Sequence, residues 1–318
     1  MMEETYRIGM ILAASSVRTG IVDENCRIVA EEETAAGFSA DWREGVSLMA
    51  RSVTAVMKRA GISPERCGFL GIGSPGVCNG QTGEVVYSHR FSWNHAPVVK
   101  ELRRQLSIPC ALSNDVSCMA LGEVLAGAAL HCSNAVLLTI GQEIGSGVIA
   151  GGRISGGKYC TDTGLGHCTL VYGGKVCYCG RKGCLERYAS VPALLEQAAE
   201  AAAKSRNSLL SGQWPTGLGP AQILECAARK DRTAKRVLDR YIDYICEGIV
   251  NAVNIFRPEA VILGGEAEWL WKDFIEEINS RCCGAYYGRT VLPAPRILPA
   301  ALGNEAGMIG AAFINERE

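Results

Sequence analysis

The chain has 318 residues, 32 Lys and Arg against 33 Asp and Glu, and 48% hydrophobic residues. That length fits roughly two domains, and the composition excludes disordered and fibrous classes. The balanced charge offers no broad basic surface for nucleic acid, and no apolar run reaches the roughly 18 residues that a membrane helix needs. Met1–Ser16 lacks the basic-then-apolar order of a secretory signal, so a cytoplasmic location is expected. The 15 cysteines are about 5% of the chain, below the roughly 8–10% of a disulfide scaffold. In a reducing compartment most are expected to be small buried hydrophobes, and spacing must reveal any metal ligands.

In chain order, Arg7–Leu12 and Val17–Val22 read as strands, and Asp23-Glu24-Asn25 turns into a third, Cys26–Ala30. A helix is expected from Asp41 to Ala60, stopped by Gly61, with Leu48, Val53 and Val56 on one face. Cys67–Ile72 is an apolar strand ending in Gly73-Ser74-Pro75-Gly76. Pro97–Gln105 reads as helix and Cys110–Leu112 as strand, and Ser113-Asn114-Asp115 can cap a helix running to Leu125. The alternation is an α/β signature, and it restarts with the strand Asn134–Ile140 and the turn Gly141–Gly145. Val148–Gly152 suggests a hairpin, residues 156–186 an irregular Gly- and Cys-rich segment, and Val191–Lys204 a helix. Residues 205–219 read as a loop. Arg232–Phe256 is a long amphipathic helix with Val237, Tyr241, Tyr244, Ile245 and Ile249 on one stripe. Ala260–Leu263 is a strand before Gly264-Gly265, and Glu305–Asn315 a helix of small residues. Two halves, each opening with a strand and a glycine turn, form a coarse duplication.

The strongest local signal is Cys177-Tyr178-Cys179-Gly180-Arg181-Lys182-Gly183-Cys184, with His167 upstream. Zinc takes four N or S ligands in a tetrahedron. Cys177 and Cys179 sit on one short loop, and Gly180 and Gly183 allow the turn that returns Cys184 to the same ion. His167 completes a closed set with no open position, which implies a structural zinc. The bland alternative is three unliganded thiols in a glycine loop.

This segment, followed by Leu185-Glu186, resembles the zinc signature of the ROK family of bacterial sugar kinases and sugar-responsive repressors. Further segments extend the resemblance over nearly the whole chain. They are Gly71–Gly76, Ser113-Asn114-Asp115 with Ala120–Glu123, Val261–Gly265 and Gly307–Ala312. It implies the two-lobed actin-like/hexokinase ATPase fold, with ribonuclease H-like duplicated lobes. One lobe would comprise residues 1–116 plus 305–318, and the other residues 117–304 with the zinc loop. A homodimer or homotetramer is implied as well.

Read by spacing alone, Asp115 is a helix cap; the resemblance reverses that reading, because in the family an Asp at this position is the catalytic base. The family binds sugar hydroxyls through positions held here by Asn114, Asp115, His167 and Glu186, and through a Glu that is Gly164 in this chain. Glu186 by itself reads as a solvated acid, and Trp93 as either pocket wall or core.

The nucleotide site departs from the family pattern. Family kinases open with an Asp-x-Gly-Gly-Thr hairpin; here Ile11, Ala13, Ala14 and Ser15 stand at those places. A carboxylate that would organise magnesium is gone, and two Cβ atoms are added where backbone N–H groups must approach phosphate. The second phosphate loop, usually Gly-Thr-Gly-Ile-Gly, is Gly141-Gln142-Glu143-Ile144-Gly145. Glu143 either places a negative charge beside a triphosphate or points to solvent. Ser15, Gly141, Gly145, Gly264 and Gly265 remain as candidate nucleotide contacts. Kept zinc loop and altered phosphate loops together resemble the N-acetylglucosamine- and xylose-repressor branch. With only a few residues before its first strand and no basic patch, the chain is not expected to bind DNA by itself. The expectation is a sugar-binding sensor with structural zinc and weak or absent kinase activity. The alternatives are an active ATP/magnesium-dependent sugar kinase and a structural partner that uses the stripe on 232–256 as an interface.

Overall fold

The computed structural model describes residues 6–156, 159–160, 164–213 and 217–314. Parts of the segments 156–186 and 205–219, and the last residue of the helix expected to Asn315, therefore lie outside the described residues.

The first half contains β1 (Tyr6–Leu12), β2 (Ser16–Val22), β3 (Ile28–Ala35), α1 (Trp42–Ala60), β4 (Cys67–Ser74), β5 (Val77–Asn79), β6 (Glu84–Ser88), β7 (Trp93–Ala96), α2 (Val98–Leu106), β8 (Cys110–Asn114) and α3 (Asp115–Leu125). The second contains β9 (Ala135–Ile140), β10 (Ile144–Ala150), β11 (Arg153–Ile154), β12 (Tyr159–Cys160), α4 (Glu186–Ala189), α5 (Val191–Lys204), α6 (Leu209–Gln213), α7 (Pro220–Ala228), α8 (Arg232–Phe256), β13 (Ala260–Gly264), α9 (Glu268–Cys282), β14 (Arg296–Pro299) and α10 (Ala306–Ala312). Among the described residues no helix is long and apolar enough to cross a membrane.

The duplication expected from sequence is a topological fact. One sheet runs β3-β2-β1-β4-β8 and another β11-β10-β9-β13-β14. In each, the first strand pairs antiparallel with its hairpin partner and parallel with the strand after the crossover. The β1–β2 turn and the β9–β10 turn therefore hold equivalent places, as do the glycine turns after β4 and β13. A small third sheet, β12-β5-β6-β7, lies beside the first.

The helix α1 stops at Gly61 as read, and Asp41, expected as its first residue, is its cap instead. Asp41 accepts from Arg43 N and Gly61 closes the helix at φ 66°. The apolar stripe of α8 is buried within its own chain, Tyr241 and Ile249 fully and Val237 and Ile245 nearly so. It packs with Leu194, Leu238 and Trp271, so it is core rather than an interface.

Two cores fill the halves, and a third cluster joins them through α3 and α10, with Cys118, Leu121, Leu137, Ile262 and Ala311. α10 is made of small residues because its backbone lies directly on the first half. A Cβ on Gly9 would land on the Met308 carbonyl, and one on Gly71 on the Ala311 carbonyl. On α3 the fully buried Glu123 accepts from Ala128 N (2.8 Å), Ala301 N (3.0 Å) and Leu302 N (2.9 Å), which ties the approach to α10 to the centre of the molecule.

Candidate functional site

His167 closes a 3-10 turn, Leu165–His167, entered through Gly164 at φ 69°. The cysteine loop is held by the bridges Thr169↔Cys184 and Val176↔Lys182. Gly180 and Gly183 adopt φ 85° and 81°, and a Cβ at Gly183 would strike the Val171 carbonyl. The turn so formed brings one ligand atom each of His167, Cys177, Cys179 and Cys184 within 4.8 Å of one another. Cys177 Sγ lies 3.6 Å from His167 Nδ1, and Cys179 Sγ 3.7 Å from Cys184 Sγ. The Tyr178 hydroxyl, 3.2 Å from His167 Nε2, orients the ring from outside the cluster, as groups around metal-bound imidazoles do.

Burial, with hydrogen bonds from the neighbouring thiols, pushes Cys184 up to about 12, and burial raises Cys177. The Arg181 backbone N–H lowers Cys179. Three thiolates this close are unfavourable unless a cation neutralises them. Three sulfurs and one imidazole are a soft tetrahedral donor set, and these four residues fit a zinc ion.

Asn114 ends β8, and it is the cap of α3: its Oδ1 accepts from Val116 N (2.9 Å) and Ser117 N (3.1 Å). Its amide donates to Asp115 Oδ1 (3.0 Å) and to the Gly76 carbonyl (3.4 Å). The cap role read for Asp115 thus belongs one residue earlier. Asp115 becomes the first helical residue, half-buried, with its carboxylate oriented by the Asn114 amide and Val116 N (3.0 Å).

Glu186 is 5% exposed and opens α4 immediately after the last cysteine. Its Oε2 accepts from Ile144 N (3.1 Å), and the Cys177 thiol donates to its Oε1 (3.9 Å). It is a buried tie between the cysteine loop and β10, not a solvated acid. Strand β10 carries the whole arrangement. Val116 sits against Gly145 and Gly147, so the first turn of α3 lies on one flank. On the other flank Gly166 packs on Ile144, and Leu165 N donates to Ser146 Oγ (3.2 Å).

The β1–β2 and β9–β10 turns have a different chemistry. Ile11 is packed against Gly73 and Gly307, in a seam that the glycines leave open for it. Ala14 and Ser15 are exposed at the β1–β2 turn, where Ala13 N donates to the Ser16 carbonyl (2.9 Å). In the β9–β10 turn Gly141 N donates to the Glu143 carbonyl (3.1 Å). Glu143 reaches Arg90, from the β6–β7 loop, at 3.7 Å. A Cβ on Gly141 would meet the Glu266 carboxyl at 3.3 Å. Gly265, at φ 95°, lies against the Ile140 backbone.

Trp93 is fully buried beside Phe38 and Phe91, with Nε1 donating to the Ser39 carbonyl (2.9 Å), and is therefore core. Sequence reasoning missed Arg90, Glu266 and Arg187. Only Arg187 had a signal, its place beside Glu186 in the motif. Of the remaining cysteines, Cys67, Cys78, Cys110, Cys118, Cys132, Cys226, Cys246 and Cys282 are buried free thiols, while Cys168 and Cys283 are exposed. Cys160 lies where no side chain is described.

A family-level sequence model, described as ROK family, matches residues 7–318. A glucokinase of Thermotoga maritima is 28% identical over 96% of each chain. A xylose repressor of Caldicellulosiruptor bescii is 27% identical over 70% of this chain and 56% of its own. A ROK family glucokinase from Streptomyces griseus, solved with glucose and AMPPNP, superposes with a TM-score of 0.76 at 26% identity, over 98% of this chain and all of that one.

Proposed function

The chain belongs to the ROK family, and from that premise we propose that it is a sugar-binding member acting as a sensor or regulatory protein, with weak or no phosphoryl transfer. Residues 1–116 with 305–318, and 117–304, are the lobes of its cleft in this reading, although 1–5 and 315–318 lie outside the described residues. Asn114, Asp115, His167 and Glu186 take the sugar hydroxyls. A zinc ion held by His167, Cys177, Cys179 and Cys184 fixes the loop that presents His167 and Glu186, and supplies rigidity rather than chemistry.

The observation that carries this reading is Ile11. Where the family's kinases have a carboxylate, an aliphatic side chain is packed into a glycine-lined seam. No rearrangement of neighbours gives that position a charge. Gly141 is flanked by Glu266, and the next turn residues are Gln142 and Glu143. Carboxylates at a phosphate-binding turn raise the cost of bringing in a triphosphate.

A second reading, an active sugar kinase with Asp115 as base, is favoured by the glucokinase relative that matches over the whole chain and by the fixed orientation of Asp115. A coupled assay with ATP, magnesium and a hexose panel separates the two. Turnover in the usual kinase range of ~1–100 s⁻¹ overturns the sensor reading. Asp115→Ala must then abolish it. Thermal-shift measurements with sugars and nucleotides tested separately are expected to show stabilisation by a sugar and none by ATP.

A further inference from the structure

Beside Glu186, on the side where the β9–β10 turn faces the cysteine loop and the start of α5, is a cavity of about 250 Å³. Gln142, Glu143, Tyr178, Glu186, Arg187 and Ser190 line it, together with the apolar Val176 and Pro192. The polar ones are amide, carboxylate and hydroxyl groups around an exposed phenol ring, the set that recognises a ring carrying hydroxyls. Planar polar groups make paired hydrogen bonds to adjacent hydroxyls, and an aromatic face covers the C–H surface. The Tyr178 ring is 70% exposed, and its hydroxyl is fixed to His167.

The charge of the cavity selects the ligand. Arg187, the one cation among the described lining residues, is already paired with Glu196 at 3.1 Å. Arg90, across the cleft, is paired with Glu143. With both arginines engaged, Glu186 leaves the lining acidic, which disfavours a phosphate or a nucleotide. Gln142 and Glu143, the substitutions that remove the second phosphate loop, are therefore also what gives this cavity its polar lining. Glu186 belongs both to the sugar residues described above and to this cavity.

We infer that the cavity is a second sugar subsite, so that the ligand is a disaccharide or glycoside whose second ring packs on Tyr178 and hydrogen-bonds to Gln142 and Glu143. This rests on the sugar-binding reading above and adds the size and polarity of the ligand to it.

Isothermal titration of the full chain tests it, with sucrose, maltose, cellobiose, trehalose, lactose and diacetylchitobiose compared with their component monosaccharides. One disaccharide is expected to bind at least about tenfold more tightly than either of its rings. The double variant Gln142→Ala/Glu143→Ala is expected to bring that affinity down to the monosaccharide level, with monosaccharide affinity and melting temperature unchanged. A protein that binds a monosaccharide but no disaccharide more tightly refutes the second subsite and leaves the sugar-binding reading standing. Equal losses for both ligands in the double variant also refute it. Binding of no sugar at all overturns both.

Discussion

The cysteine loop and the β9–β10 turn meet at the start of β10, where Glu186 accepts from Ile144 N, yet the loop resembles the family pattern throughout while this turn and the β1–β2 turn depart from it. The difference reflects what each site is made of. A tetrahedral metal site consists of four side chains, and loss of any one opens it. A phosphate cradle consists of backbone N–H groups that the ligand must approach closely, so a single Cβ or carboxylate spoils it while the strands stay intact. Ile11 and Glu143 change what the turns can hold without disturbing the sheets around them.

The largest expected effect is at the metal cluster. Metal analysis should find one zinc per chain, and Cys184→Ala or a strong chelator should remove it and lower the melting temperature by about 10 °C or more. Equal stability with and without chelator would break the contrast, leaving the loop as thiols in a glycine turn. Next is the β1–β2 side. Ile11→Asp should cost about 2–4 kcal/mol in urea denaturation, since it places a carboxylate in the apolar seam between Gly73 and Gly307. Combining it with Ala13→Gly, Ala14→Gly, Gln142→Thr and Glu143→Gly should raise ATP-dependent turnover at least about tenfold. No gain in the five-residue variant would break the proposed link between these turns and weak phosphoryl transfer.

The smallest effect is expected at Asp231, a cap remote from both loops. Burial alone would raise its carboxyl, but hydrogen bonds from Ala234 N, Leu209 N, Ser208 and Thr233 N hold it below the usual 3.8. A depressed folded value makes its contribution complete above that pH and removes it as pH falls through the folded value. Asp231→Ala should therefore cost about 1 kcal/mol at pH 7 and progressively less in acid, in paired denaturation curves. A cost that does not decline in acid would show that lost packing, not the carboxylate, is responsible. Its size calibrates the other two effects as something beyond ordinary capping.

The parts of the fold visible in sequence were those with local signals. α5 and α8 have clear periodicity, and α1 has Asp41 before it and Gly61 after it. The β5–β7 sheet was not visible because strands of three to five residues carry too little alternation. α9 was missed because it begins at Ala267 with no side-chain cap, and α6, only five residues long, was read as loop. In the candidate site the donor set was legible because ligand chemistry restricts residue type and spacing. The pairing of Arg90 with Glu143 was not, because it joins two loops from different halves.

The sequence by itself determined the four metal-ligand candidates, the α/β alternation and the loss of a carboxylate at Ile11, since each depends on residue identity at short range. Tertiary structure decided which of Asn114 and Asp115 caps α3, that Trp93 and the α8 stripe are core, and that Glu186 is a buried tie to β10. Those outcomes depend on what segments distant in the chain place against each side chain. A residue's neighbours across space fix its burial and its hydrogen-bond partners, and short-range sequence does not carry that information.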